Sequence, residues 1–188
     1  MDALLIGLLG CLLGEMGDKG QWLLLALATR FQRTGALVAG MAVAAAANAA
    51  LGAAAGAFLA PMLGSDARLL FLALALLFLA GGMVWPVKPP DPLANWRVGP
   101  FLTAALGLFI LGFGDGAQFL ILGIAARTAD PVLAATGGAI GMVAAWLPVI
   151  LLREQLFRVG PLRAIRLGGA VLVLLGAMAA AISALHLA

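Results

Sequence analysis

The 188-residue chain has one cysteine, one histidine and few charged side chains. A single Cys11 excludes an internal disulfide and a thiolate metal cluster. A single His186, at the end of the chain, leaves no visible nucleophile–base pair, so the sequence argues against an enzyme. Charged residues make up 10% of the chain, against about a quarter in soluble domains, and hydrophobic residues make up 64%. We therefore predict an all-α integral membrane protein.

The basic character of the chain does not indicate a nucleic-acid partner. Its pI is near 10, but the Lys and Arg residues other than Lys19 are assigned to short loops between apolar segments, where they set membrane topology. The first apolar segment lacks a basic start and a small-residue cleavage site, since it carries Asp2 and runs into Glu15. We expect this segment to be retained, not removed as a signal peptide.

Six apolar segments are each long enough to cross a hydrocarbon layer about 30 Å thick. They cover residues 3–28, 35–59, 67–85, 100–125, 131–152 and 164–187. The longest break, residues 86–99, contains four prolines within residues 86–92 and cannot continue a helix. We predict a first three-helix repeat at 1–86, a proline-rich cytoplasmic linker at 87–99 and a second repeat at 100–188. Because three is odd, the second repeat enters from the opposite side, so the repeats are inverted.

Lys and Arg are distributed unevenly between the two sets of loops. Two lie on one side, Arg68 and Arg127. Eight lie on the other: Arg30, Arg33, Lys88, Arg97, Arg153, Arg158, Arg163 and Arg166. An excess of basic residues marks cytoplasmic loops. The bias predicts a multi-pass protein of the cell membrane with both termini outside the cytoplasm.

A short pattern occurs twice, 97 residues apart. Residues 17–21 read Gly-Asp-Lys-Gly-Gln and residues 114–118 read Gly-Asp-Gly-Ala-Gln, and each copy is followed in register by an alanine and an arginine. Each copy places an acid, Asp18 or Asp115, inside an apolar segment. A duplicated intramembrane acid predicts a transport site at the interface of two repeats.

The first span carries more charge than its apolar residues offset. Glu15 and Asp18 are three residues apart, so a helix places them on one face, which Gln21 extends. An acid or Lys at the membrane centre costs about 2.5–3.5 kcal/mol, and each Leu or Ile returns about 0.3–0.6 kcal/mol. Glu15, Asp18 and Lys19 together cost roughly 8–10 kcal/mol, against roughly 5 from the eleven Leu and Ile residues of the span. A partner charge, a cavity or a bound cation must offset the difference.

Two interpretations of these charges stay open. One is structural: an ion pair within the span, for which Glu15–Lys19 at a spacing of four has good geometry and Asp18–Lys19 has poor geometry. The other is functional, because ionisable residues within membranes mark ion pathways. In that case Lys19 is also a tethered cation that can occupy the site when a metal leaves.

The candidate ligands are oxygen donors. Glu15, Asp18 and Asp115 supply carboxylates, and Gln21, Gln118 and Asn48 are possible additional amide ligands. Without neighbouring His or Cys, this set favours a hard cation such as Ca²⁺, Mn²⁺ or Mg²⁺. For Asn48, a hydrogen bond between helices is the favoured alternative.

Small residues spaced four apart predict close helix packing. The pairs are Gly10 and Gly14, Gly52 and Gly56, and Gly137 and Gly141. Gly17 and Gly114 differ because they lie beside acids. Either they also serve packing, or they let the helix loosen and expose carbonyl oxygens to an ion.

The segment from Glu15 to Gly20 resembles the motif of the Gdt-type family of divalent-cation/proton exchangers. That motif is Glu, an apolar residue, Gly, Asp, Lys or Arg, then Ser or Thr, and it occurs once in each of two three-span repeats. The first copy matches five of six positions, with Gly20 in place of the hydroxyl residue. In repeat number and span count the resemblance covers essentially the whole chain.

The second copy departs further from the family motif. Gly112 stands where the family has Glu, Gly116 where it has Lys or Arg, and Ala117 where it has Ser or Thr, so only Gly114 and Asp115 remain. The resemblance implies that the three carboxylates named above bind the cation and also carry the counter-proton. The loss of an acid at position 112 makes the site asymmetric and can change ion choice or proton stoichiometry.

We therefore predict a secondary transporter that moves Mn²⁺ or Ca²⁺, with export in exchange for protons implied by the resemblance. Its partners would be membrane lipid, the divalent cation and protons, and no bound cofactor is expected. Two alternatives are a small organic-cation exporter, which a roomy aromatic cavity would favour, and a non-transporting membrane subunit derived from an exchanger. The sequence does not indicate an oligomeric state.

Overall fold

The computed structural model describes residues 1–153, 155 and 162–185. Within these ranges the chain forms eight α-helices and one 3₁₀ turn, Ala60–Met62, and no strand. The helices are α1 (Asp2–Glu15), α2 (Lys19–Arg30), α3 (Thr34–Leu59), α4 (Ser65–Val84), α5 (Gly99–Gly112), α6 (Gly116–Thr128), α7 (Pro131–Leu152) and α8 (Leu162–Ala184). The predicted all-α class is confirmed. Arg158, His186 and the predicted end of the sixth span lie outside the described residues.

Four segments are long and apolar enough to span a membrane: Thr34–Met62, Ser65–Val84, Pro131–Leu152 and Arg163–Ala184. A fifth candidate is the pair α5 and α6, which is bent by 68° at the break between them. The predicted bounds of the second, third and fifth spans agree with α3, α4 and α7 to within two residues. These helices begin or end where proline or charged residues interrupt the apolar sequence.

The continuous helices expected over residues 3–28 and 100–125 are wrong, because each segment forms two helices. The breaks contain Gly17 and Gly114, and both glycines have φ +73°. A residue in this left-handed region cannot continue a right-handed helix, and glycine adopts the conformation without a Cβ clash. The alternative in which these two glycines loosen the helix is therefore the one that the structure shows.

The 97-residue offset of the sequence is reproduced in the packing of the helices. α1 packs along α7, and α5 packs along α3. A Cβ on Gly137 would lie 2.9 Å from the Leu4 Cα, and a Cβ on Gly40 would lie 3.1 Å from the Ala105 nitrogen, close to the Phe101 carbonyl. Leu4 and Phe101, like Gly40 and Gly137, are 97 residues apart. The two helix pairs therefore meet in the same register.

The predicted close backbone contacts are confirmed for the pairs Gly52–Gly56 and Gly137–Gly141, whereas Gly10 and Gly14 meet the side chains of Leu120 and Leu79. A Cβ on Gly52 would come within 2.8 Å of the Gln118 carbonyl oxygen, and one on Gly141 within 3.0 Å of the Leu12 nitrogen. Any side chain at these positions would push the helix backbones apart. Glycine here permits close packing where no hydrophobic effect drives helix association.

The half-helices α2 and α6 run from the centre of the molecule toward opposite ends. At the end of α2, Arg30 donates to the carbonyl oxygens of Leu93 and Trp96 in the linker, each at 2.7 Å. At the end of α6, Ala125 packs beside Gly56, close to the end of α3. Because α3 starts just after α2 and ends beside α6, the two half-helices point in opposite directions.

Candidate cation site at the two broken helices

Each helix break is held by a glutamine one turn further along the chain. Gln21 accepts a hydrogen bond from the Gly17 nitrogen through Oε1 at 2.9 Å, and Gln118 accepts one from the Gly114 nitrogen at 2.7 Å. Gln21 also donates to the Ala145 carbonyl oxygen of α7 at 2.6 Å. Both glutamines therefore fix the backbone of a break, and their role as metal ligands stays a prediction.

The three candidate acids stand at helix ends created by the breaks. Glu15 is the last residue of α1, and Asp18 and Asp115 are the N-caps of α2 and α6. The Asp115 carboxylate accepts a hydrogen bond from the Gly116 nitrogen. The N-terminal end of a helix carries partial positive charge and stabilises a carboxylate there. The breaks thus place the acids at helix ends, whereas a continuous helix would carry them only on its side.

Glu15 lies at a narrow cavity between the two halves of the chain. The cavity volume is about 10 Å³, space for the centre of about one water molecule. Its polar lining comes from Glu15, Lys19, Asn48, Asp115 and Trp146. Glu15 is 4% exposed, and its Oε2 accepts a hydrogen bond from the Trp146 indole nitrogen at 2.9 Å. A buried carboxylate with one neutral donor is a strong attractor for a proton or a metal cation.

A wider cavity, which we call the vestibule, lies on the other side of Lys19 and Asp115. Its volume is about 260 Å³. It is lined by Asp18, by Arg166 of α8 and by residues 85–88, which join α4 to the linker. Lys19 and Asp115 line both cavities. Lys19 Nζ and Asp115 Oδ2 are 3.4 Å apart. This ion pair stands between the vestibule and the narrow cavity.

The pairing of Lys19 differs from the structural alternative drawn from the sequence. An ion pair with Glu15 required one continuous helix, and the break at Gly17 removes that geometry. Lys19 instead reaches Asp115 in the other half of the chain. The pairing holds the two halves together and is not internal to the first span.

Arg166 lies at the candidate site, and its predicted location in a cytoplasmic loop is wrong. Arg166 lies in α8 and is only 7% exposed. Its Nη2 is 3.1 Å from Asp18 Oδ1, and its Nη1 donates to the Gly17 carbonyl oxygen at 2.9 Å. The available signal was a basic residue inside the sixth apolar segment, 164–187, where a charge requires a partner.

The three acids do not form one ready-made cluster in this conformation. Among the described residues, no group of three or more His, Cys, Asp or Glu side chains could hold a metal ion. Glu15 and Asp115 share the narrow cavity, whereas Asp18 faces the vestibule and is paired with Arg166. The assignment of all three as ligands of one ion therefore stays a prediction.

Asn48 fills the space beside the position where the second motif lacks its acid. It is buried in α3, and its Nδ2 lies 3.5 Å from the Leu108 carbonyl oxygen and 3.4 Å from that of Phe109 in α5. These contacts are the helix-to-helix hydrogen bonds that the sequence favoured. A Cβ on Gly112 would lie 2.7 Å from Asn48 Nδ2. The neutral amide therefore stands where an acidic side chain at position 112 would begin.

One family model matches the first half of the chain, and one relative aligns along nearly all of it. The sequence model of the family described as divalent cation/proton antiporter GDT1 matches residues 3–89, which hold the first motif. A protein of Vibrio cholerae serotype O1, whose name gives it a proposed role as a manganese exporter, is 32% identical over 182 residues. That alignment covers 96% of this chain and 91% of the relative. No solved structure matches the chain significantly.

Proposed function

Because the chain belongs to the divalent cation/proton antiporter family GDT1, we propose that it exports Mn²⁺ from the cytoplasm in exchange for protons. The observation that carries this proposal is the narrow cavity at the two helix breaks, where Glu15 of one half meets Asp115 of the other. Oxygen donors of this kind suit Mn²⁺ and Ca²⁺ alike. The choice of Mn²⁺ follows the proposed role of the Vibrio cholerae relative.

The ion path runs from the vestibule, past the Lys19–Asp115 pair, to Glu15. The start of the linker lines the vestibule, and the excess of Lys and Arg in the loops on that side supports a cytoplasmic location for it. When Arg166 is left out of the count, the loops on that side still hold seven Lys and Arg residues, against two on the other side. An ion arriving from the cytoplasm meets Asp18 and Asp115 first and Glu15 last.

Alternating access follows from an inverted pair of three-helix repeats, with α1 and α2 forming one broken span and α5 and α6 the other. The equal register of the α1–α7 and α3–α5 contacts supports this arrangement, as do the opposite directions of α2 and α6. Rocking of one repeat against the other would close the vestibule and open the narrow cavity to the outside. The broken helices stay at the centre of that motion.

Proton exchange uses the same carboxylates. A carboxylate oxygen that binds a metal ion releases its proton, and a returning proton displaces the metal. Glu15 suits this exchange because it is buried and its hydrogen-bond donor, Trp146, is neutral. Once the metal ion has left, Glu15 therefore binds a proton that enters from the outer side.

Purified protein in liposomes with an internal pH dye tests the function. We expect Mn²⁺ movement in one direction to drive protons in the other, with Mn²⁺ preferred over Ca²⁺. If no divalent cation moves protons, the chain is a non-transporting relative, an alternative that its incomplete second motif favours. An organic cation would fit the vestibule, which Phe78 and Trp85 line, but not the narrow cavity at Glu15, which holds about one water molecule.

A further inference from the structure

We propose that the Arg166 guanidinium is a tethered cation that holds Asp18 when no metal ion is present and that an incoming divalent cation must displace. The proposal rests on the cation transport proposed above. It gives α8 a role in ion selection, although α8 contains neither of the two sequence motifs.

The contacts of Arg166 are those expected of a cation in an ion site. One Nη lies 3.1 Å from the Asp18 carboxylate, and the other donates to the Gly17 carbonyl oxygen at 2.9 Å. Asp18 is a motif acid, and the Gly17 carbonyl belongs to the helix break. A guanidinium group keeps its charge at all physiological pH values, so proton loss cannot free Asp18. The side chain must move away before a metal ion can bind there.

The surroundings of Arg166 permit such a movement. It lines the vestibule, whose volume of about 260 Å³ offers space beside the guanidinium. Its Nε is buried and has no hydrogen-bond partner among the described residues. A buried polar atom without a partner weakens the resting position. Among the described residues, all hydrogen bonds of the guanidinium therefore come from its two Nη groups.

Displacement of Arg166 also links ion binding to helix movement. The same Nη2 that pairs with Asp18 donates to the Gly82 carbonyl oxygen of α4 at 2.6 Å. Arg166 thus ties α8, α4 and the Gly17 break together. An ion that binds Asp18 releases this connection and favours a conformation in which α4 and α8 separate from the break.

Competition of this kind lowers the apparent affinity for the metal. If Arg166 occupies Asp18 in about nine of ten molecules, the dissociation constant for Mn²⁺ is about tenfold weaker than that of the free site. A low affinity on the cytoplasmic side favours rapid exchange of the ion. Removal of the guanidinium should therefore tighten Mn²⁺ binding.

Arginine modification of the wild-type protein tests the displacement directly. Phenylglyoxal labelling is followed by mass spectrometry, with and without Mn²⁺, and exposed Arg163 of α8 serves as the internal reference. We expect saturating Mn²⁺ to make Arg166 react several times faster while Arg163 stays unchanged. An Arg166 rate that is unchanged or lower with bound Mn²⁺ would overturn the proposal.

A double-mutant cycle with Mn²⁺ binding as the readout tests the competition. We expect Arg166→Gln to bind Mn²⁺ about tenfold more tightly, Arg163→Gln to match wild type, and Arg166→Gln to give no gain in an Asp18→Asn background. Equal or weaker binding by Arg166→Gln, with wild-type binding intact, would overturn the competition. If wild-type protein binds no Mn²⁺, the proposed function fails instead. If Arg166→Gln does not fold, the labelling result alone decides.

Discussion

Lys19 Nζ lies 3.4 Å from Asp115 Oδ2, so the base of the first motif neutralises the acid of the second. The position equivalent to Lys19 in the second half is Gly116, which has no side chain to return the contact. Asp18 is paired instead with Arg166 of α8. Each motif aspartate, Asp18 or Asp115, thus has a basic partner from the other half of the chain, and the two pairs are chemically different.

The Lys19–Asp115 pair should weaken cation binding, because it places a positive charge at the opening of the narrow cavity. We expect Lys19→Gln to tighten Mn²⁺ binding several-fold and to slow transport, since the ion leaves a more negative site more slowly. Lys88→Gln is the matched control: Lys88 also lines the vestibule but is exposed to solvent. Equal affinities for wild type and Lys19→Gln, measured by Mn²⁺ titration, would show that the pair only joins the two halves.

The left-handed glycines should be needed for the helix breaks themselves. Gly114→Ala should lower the free energy of unfolding by about 1–2 kcal/mol, because alanine is strained at φ +73°. Steric contact adds nothing, since a Cβ at Gly114 meets no atom within 4 Å. Gly64→Ala is the control, as that Cβ is also free but φ is −68°. Thermal unfolding in detergent that gives equal stabilities would mean that the break does not depend on glycine.

Restoring the missing acid should require space that Asn48 now fills. We expect Gly112→Glu alone to be strained and Gly112→Glu with Asn48→Ala to be accommodated, because a Cβ at position 112 meets Asn48 Nδ2. The double variant adds a proton site and negative charge, so its Mn²⁺ affinity should shift and depend more steeply on pH. Asn48→Ala is the control. An unchanged affinity and pH profile in the folded double variant would place residue 112 outside the ion site.

The predicted orientation places the linker in the cytoplasm. In a Cys11→Ala background, Asp91→Cys should resist a membrane-impermeant thiol reagent added from outside, whereas Ser65→Cys, at the start of α4, should react. Both positions are exposed. Reaction of position 91 together with protection of position 65 would mean that the chain has the opposite orientation.

Much of the helical framework could be predicted because its boundaries are chemically marked. Proline and charged residues border α3, α4 and α7, and apolar length identifies the segments between them. The two breaks could not be placed in this way. Gly17 and Gly114 are compatible with a membrane helix, and only their backbone conformation shows that the helix ends there.

The pairing of the charged residues could not be predicted from their spacing along the sequence. Spacing along a helix compares residues within one turn, whereas Lys19 and Arg166 find their partners in the other half of the chain. The duplicated acids were visible because sequence comparison at a fixed offset finds them directly. Arg166 has no counterpart in either motif, so only the fold reveals its contact with Asp18.

The central claim is that the acids at the two helix breaks exchange Mn²⁺ for protons, and Mn²⁺-driven proton movement in liposomes tests it most directly. The variants are Glu15→Gln and Asp115→Asn, with Asp2→Asn, an exposed acid at the start of α1, as the control. We expect wild type and Asp2→Asn to move protons against Mn²⁺, and the two site variants to insert normally but to move none. Proton movement at wild-type rates in both Glu15→Gln and Asp115→Asn would contradict the account.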